Sequence, residues 1–102
     1  MSYLQVNTSI GMTDEWNNIG FIVSSRYRKI VIRELHENPS TPSQIAERAD
    51  VSIANISNAL SQLRENNCVE LLVDEERRKG RVYGLTETGQ AIWDDLEEKQ
   101  LL

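Results

Sequence analysis

Apolar residues recur along the chain at steps of three and four, and these stripes divide it into five helical stretches and one hairpin. From Thr13, "TDEWNNIGFIVSS" opens with a capping residue and acids in its first turn. It places Met12, Trp16, Ile19 or Gly20, and Val23 along one side, which predicts a short amphipathic helix. Gly20 and the Ser24-Ser25 pair weaken its end, and Ser25 is available to cap the next helix. That helix, "RYRKIVIRELHEN", repeats Tyr27, Ile30, Val31 and Leu35 as a buried face and stops at Asn38-Pro39. His36 falls beside Lys29 and Ile32, off the stripe, and is read as a solvated side chain.

"TPSQIAERADVS" carries three agreeing start signals: Thr41 as N-cap, Pro42 at the first helical position, and Gln44 three residues after the cap. Ile45, Ala46 and Ala49 point inward, and "RADVS" supplies a tight turn with Val51 at the angle. Ser52 then opens a longer helix whose buried stripe is Ile56, Ala59, Leu60 and Leu63. A short helix, a turn and a second helix form the helix-turn-helix pattern. Asn66-Asn67 ends it, with Asn67 suited to a left-handed terminal residue.

The period then changes. "CVELLV" and "RVYGL" read as strands around the charged turn "DEERRKG", with Gly80 at the bend. In "TETGQAIWDDLEEKQLL", Thr86 or Thr88 can cap a last helix bearing Ile92, Trp93 and Leu96. The expected fold is α+β, mainly α: a winged helix-turn-helix with a two-stranded β-hairpin wing and flanking N- and C-terminal helices. Residues 1–12 are assigned to an N-terminal arm and 13–102 to a single domain.

Composition narrows the function classes. At 102 residues the chain suits one domain, and its 39% hydrophobic and 26% charged residues are those of a soluble globule. It has no apolar run of membrane length and no signal-peptide layout, so a cytoplasmic protein is expected. Cys68 and His36 are each alone of their kind, and phosphate-loop, dinucleotide and nucleophile-elbow motifs are missing. The chain is therefore read as no enzyme, with no cofactor and no metal.

The net charge of -5 opposes nonspecific attraction to DNA, yet the cations are gathered. Arg26, Arg28, Lys29 and Arg33 form one block and Arg77, Arg78, Lys79 and Arg81 another. The first block is read as a secondary contact, or as Arg28 and Arg33 pairing with nearby acids. The excess of acids, with Arg well ahead of Lys, also suits a protein from a salt-loving organism or an acidic dimer end.

The succession "SSRYRKIVIREL", "TPSQIAERADVSIANISNALSQLRENNCVELL" and "RRKGRVYGLTETG" resembles small winged helix-turn-helix regulators of the MarR and ArsR type, notably compact archaeal versions. The likeness spans residues 13 to about 95, and its most specific part is "LTETG" following "KGRVYGL". It implies a homodimeric transcription regulator, a repressor, with one recognition helix per subunit in the major groove and the wing on backbone or minor groove. Asn67-Cys68 stands where such families often carry Gly-Leu, and Asn58 where many carry Arg. The cysteine pair of metal-sensing ArsR members is missing from "PSQIAERAD".

On this reading double-stranded DNA meets Ser52, Ile53, Ala54, Asn55, Ser57, Asn58, Ser61 and Gln62. Asn and Gln can pair bidentately with adenine, and Ile53 or Ala54 can touch a thymine methyl. Arg77, Arg78, Lys79 and Arg81 hold phosphates, with Thr41, Ser43 and the Ser52 helix end as neutral donors. A plain solvated face and a self-paired charged turn account for the same residues, and an interaction module that packs on protein without reading DNA stays open as the alternative. Trp16, Ile19, Ile92, Trp93 and Leu96 are assigned to the dimer interface, with the two tryptophans folding back on the wing as the competing reading. A cleft beside the tryptophans is offered to an unnamed small-molecule effector, and Cys68 to a redox role that requires an exposed thiolate.

Overall fold

The computed structural model describes residues 19–72 and 80–101. Residues 19–23 are helical, followed by α1 (Arg26–Glu37), α2 (Pro42–Ala49), α3 (Ile53–Glu65), β1 (Val69–Leu71), β2 (Tyr83–Leu85) and α4 (Glu87–Glu98). Each helix begins where a hydroxyl can satisfy an otherwise orphaned backbone N–H. Ser25 accepts from the Arg28 N–H at 3.3 Å. Thr41 accepts from the Gln44 N–H at 3.1 Å, while the Thr41 N–H donates to Gln44 Oε1 at 2.9 Å, closing the expected capping box. Ser52 accepts from the Ala54 N–H at 3.1 Å, and Thr86 from the Gly89 N–H at 3.0 Å.

Three helices end in left-handed residues, Asp50 after α2, Asn67 after α3 and Gln100 after α4. Asn67 takes φ 61°, as its side chain suggested, and Asp50 takes φ 57°. The Asp50 conformation lets Ser52 open α3 only three residues after α2 ends, with half-buried Val51 packed on the core at the corner.

The core joins Ile30, Val31, Ile32 and Leu35 of α1 to Ile45 of α2, the stripe Ile56, Ala59, Leu60 and Leu63 of α3, and Ile92, Trp93 and Leu96 of α4. Helix α1 touches α2, α3, α4 and β2, so its buried face is wider than one stripe. Ile32 is fully buried, and His36 is half-buried instead of solvated. The His36 ring stacks on Trp93 with centroids 4.5 Å apart, and Gln90 Nε2 lies 3.3 Å from its Nδ1. On the helical residues 19–23 it is Ile19 and Ile22 that are buried, and Gly20 faces outward.

Strands β1 and β2 pair antiparallel with Val69 opposite Leu85 and Leu71 opposite Tyr83. Both are shorter than the sequence suggests. A third backbone contact was not foreseen: Ser40 and Tyr83 exchange both hydrogen bonds, at 3.1 and 2.9 Å. This fixes the start of α2 to the base of the wing. At the other end of the hairpin, a Cβ on Gly89 would lie 2.1 Å from the Cys68 carbonyl oxygen, so the approach of α4 to the start of β1 requires glycine.

Candidate nucleic-acid interface

Helix α3 has two unlike sides. Ile56, Ala59, Leu60 and Leu63 are buried, whereas Ser52, Ile53, Ala54, Ser57, Asn58, Ser61 and Gln62 are exposed. Asn55 is half-buried at the border of the packed face, so Asn58 is the better presented of the two asparagines. Ile53 is 48% exposed, a large apolar side chain left open at the head of the helix.

Ile53 does not stand alone. A groove of about 450 Å³ runs between the start of α2, the start of α3 and the wing, lined by Thr41, Pro42, Ser43, Ile53, Ser57, Gly80 and Arg81. The Ser40–Tyr83 backbone pairing builds this groove by tying the α2 start to β2. It brings Ile53 and Ser57, candidates for base contact, beside the phosphate candidates Thr41, Ser43 and Arg81. Thr41 is already engaged as a cap, but its hydroxyl accepts there and keeps its own hydrogen to donate. Pro42 has no N–H and Gln44 is capped, so Ser43 supplies the one backbone donor of the first turn that has no partner among the described residues. Arg77, Arg78 and Lys79 lie outside the described residues, as do Trp16 and the proposed arm.

The helix-turn-helix is held to α1 by two arginines. Arg48 of α2 donates to Glu34 of α1 at 2.9 Å and also to the buried Ser40 hydroxyl. Among the described residues, Arg28 of α1 pairs with no acid and is held by neutral groups. Its Nε donates to Gln62 Oε1 at 2.9 Å, its Nη1 donates to the Phe21 carbonyl and to Ser24 Oγ, and its guanidinium lies 4.0 Å from the Phe21 ring centroid. Sequence reasoning missed this link because its partners are 34 residues apart and both polar.

Three expectations need correction. Ile19, Ile92, Trp93 and Leu96, assigned to a dimer interface, are at most 5% exposed within the single chain. They form its core, and exposed apolar area at these positions is lacking. Nor is Trp93, the described one of the two tryptophans assigned to an effector cleft, open within the single chain; it is 5% exposed and stacked on His36, and its Nε1 is buried without a partner among the described residues. Cys68 is fully buried, and burial pushes its thiol pKa up, the reverse of what a reactive thiolate needs. Among the described residues, no three His, Cys, Asp or Glu converge on a metal-sized site. No described helix is long and apolar enough to cross a membrane.

Known proteins share this arrangement. The chain is 30% identical over 99 residues to the uncharacterized HTH-type transcriptional regulator YfiV of Bacillus subtilis, covering 95% of this chain and 61% of that protein. The chain thus spans about three fifths of its curated relative. Among solved structures, the reduced form of the transcriptional regulator YodB from B. subtilis superposes with a TM-score of 0.70 at 26% identity, over 82% of this chain and 83% of that one. NMB1585, a MarR family regulator from Neisseria meningitidis, gives 0.68 at 23% identity, over 95% and 68% of the two chains. The hairpin packed on a helix-turn-helix is therefore the winged-helix fold of MarR-type regulators. Matched over residues 16–100, from before the first described helix to beyond α4, the chain belongs to the HVO_A0261 N-terminal domain family.

Proposed function

We propose that the chain is a sequence-specific DNA-binding transcription regulator, a repressor acting as a homodimer, with α3 in the major groove and the wing on the backbone or minor groove. The observation that carries this reading is the continuity of the exposed, uncharged side of α3 with the groove between the α2 start and the wing. Polar side chains able to meet base edges and groups able to donate to phosphates share that surface, the combination that a duplex requires. The likeness to named transcription regulators supports the same class. The net charge of -5 assigns attraction to local cations, Arg81 with Arg77, Arg78 and Lys79, while neutral side chains on α3 discriminate.

Selection of random duplexes by the purified protein at two salt concentrations tests it. The expected product is a two-fold motif, lost with Asn55→Ala/Asn58→Ala and weakened without change of motif by Arg77→Ala/Arg78→Ala. No enrichment at either salt concentration would replace this function with an interaction module that packs on protein.

A further inference from the structure

We infer that Ile53 is a specificity-determining residue that reads the C5-methyl group of a pyrimidine in the major groove, thymine or 5-methylcytosine. The inference rests on the DNA-reading function proposed above. An exposed isoleucine alone means little, because folded proteins leave much apolar surface in water. Its surroundings distinguish this one. Ile53 is 48% exposed at the first residue of α3, and every other exposed side chain of that helix is polar, apart from the single methyl of Ala54. The groove that Ile53 lines is framed by Thr41, Ser43, Ser57 and Arg81, with Pro42 as its other apolar side chain. Ala54 does not line it, so the groove favours Ile53 as the methyl reader.

An apolar side chain so closely framed by polar groups is too small a patch to hold a protein partner, whose interface core is contiguous and apolar. It matches a duplex better. The edges of base pairs in the major groove carry acceptors and amino donors, and their one apolar projection is the thymine methyl. Ile53 set against a polar edge would strip water from it and return no hydrogen bond. Against a C5-methyl, apolar surface leaves water on both sides. The side chain is also held ready. Ser52 caps the head of α3 by accepting from the Ala54 N–H at 3.1 Å, and β-branching restricts Ile53 at χ1, so the contact orders little that is not already ordered.

The test rebuilds the selected duplex with uracil in place of each thymine in turn, which removes the methyl and keeps O4 and the pairing with adenine. Binding is measured for the wild type, Ile53→Ser and Ile53→Val, each checked for cooperative melting. Wild-type affinity should fall about three- to tenfold at one thymine of each half-site, through the loss of one buried methyl. Ile53→Ser should bind the thymine and uracil duplexes alike there, and Ile53→Val should show a smaller difference than the wild type. With a cytosine–guanine pair at that position, C5-methylation of the cytosine should strengthen wild-type binding by a similar factor and leave Ile53→Ser unmoved. Uracil tolerated at every thymine, or a methyl dependence that Ile53→Ser keeps, overturns the inference and leaves the DNA-reading function standing. Should Ile53→Ser fail to melt cooperatively, an undiminished methyl dependence in Ile53→Val overturns it equally. A wild-type protein that selects no duplex overturns both.

Discussion

Ile56, Ala59, Leu60 and Leu63 on one side of α3 are at most 2% exposed, while Ser57, Asn58, Ser61 and Gln62 on the other side face solvent. Both sides follow the same helical spacing, but different demands select their residues. The packed side must match the volumes of α1 and α2, and only apolar residues of the right shape do so. The open side has no packing duty. A protein surface usually carries roughly 25–35% charged residues, yet none occurs on α3 before Arg64. That neutral side fits the proposed pairing of Asn, Gln and Ser with base edges, although charged Arg and Lys read bases as well.

Substitutions on the two sides should therefore fail in different assays. Leu63→Ala empties a fully buried position of α3 and should cost about 2–5 kcal/mol of folding stability, read by urea unfolding. Its remaining folded fraction should select the same duplex motif as the wild type. Asn58→Ala should melt with the wild type and lose about 1–3 kcal/mol of discrimination at one base pair. Stability loss in Asn58→Ala, or a changed motif in folded Leu63→Ala, would break the division between the two sides.

The packed side was legible from sequence, because burial leaves a periodic trace. Every residue assigned to the α3 stripe is buried, and the caps at Ser25, Thr41, Ser52 and Thr86 all hold. The stripe rule failed on α1, where contact with α4 as well as α3 buries Ile32 and half-buries His36. A single stripe presumes one packing partner, and α1 has several. The open side was legible in residue type but not in hydrogen-bond state. Nothing local announces that Arg28 occupies the Gln62 carbonyl or that Ser40 pairs with Tyr83, since both contacts join segments distant in the chain. The assignment of Trp93 to an exposed interface failed for a related reason. An aromatic on a terminal helix reads alike whether it packs within one subunit or between two, and here Trp93 finds its partner in His36.

A smaller effect is expected where the two regions meet. Thr41 caps α2 and also borders the groove beside Ile53. Thr41→Ala removes both the capping oxygen and the hydroxyl hydrogen, and should lower stability by about 1 kcal/mol. DNA affinity should fall evenly over all sequences, because a backbone contact carries no base information. Thr41→Ser keeps both roles and should restore both readouts. Loss of stability with unchanged affinity would confine Thr41 to capping and move the phosphate contact to Ser43 and Arg81.

The smallest effect concerns Cys68, at the junction where α3 hands the chain to β1. Burial raises its pKa above the ordinary 9.0, so the folded protein resists forming the thiolate that the unfolded chain forms freely. Below the unfolded value both states keep the proton, and this contribution to stability is fully present. As pH rises past it, the unfolded state releases the proton first and is favoured, so stability declines until the folded thiol also ionises. Other groups titrate in the same range, and the informative quantity is the difference in Tm between wild type and Cys68→Ala. Any advantage of the wild type at neutral pH should shrink as the pH rises past the ordinary value of 9.0, and the native thiol should react slowly with a disulfide reagent. A difference that stays constant with pH, joined to rapid thiol labelling, would mean that the folded protein exposes Cys68 as freely as the unfolded chain. That outcome would return this residue from the packed region to the reactive surface and reopen its redox role.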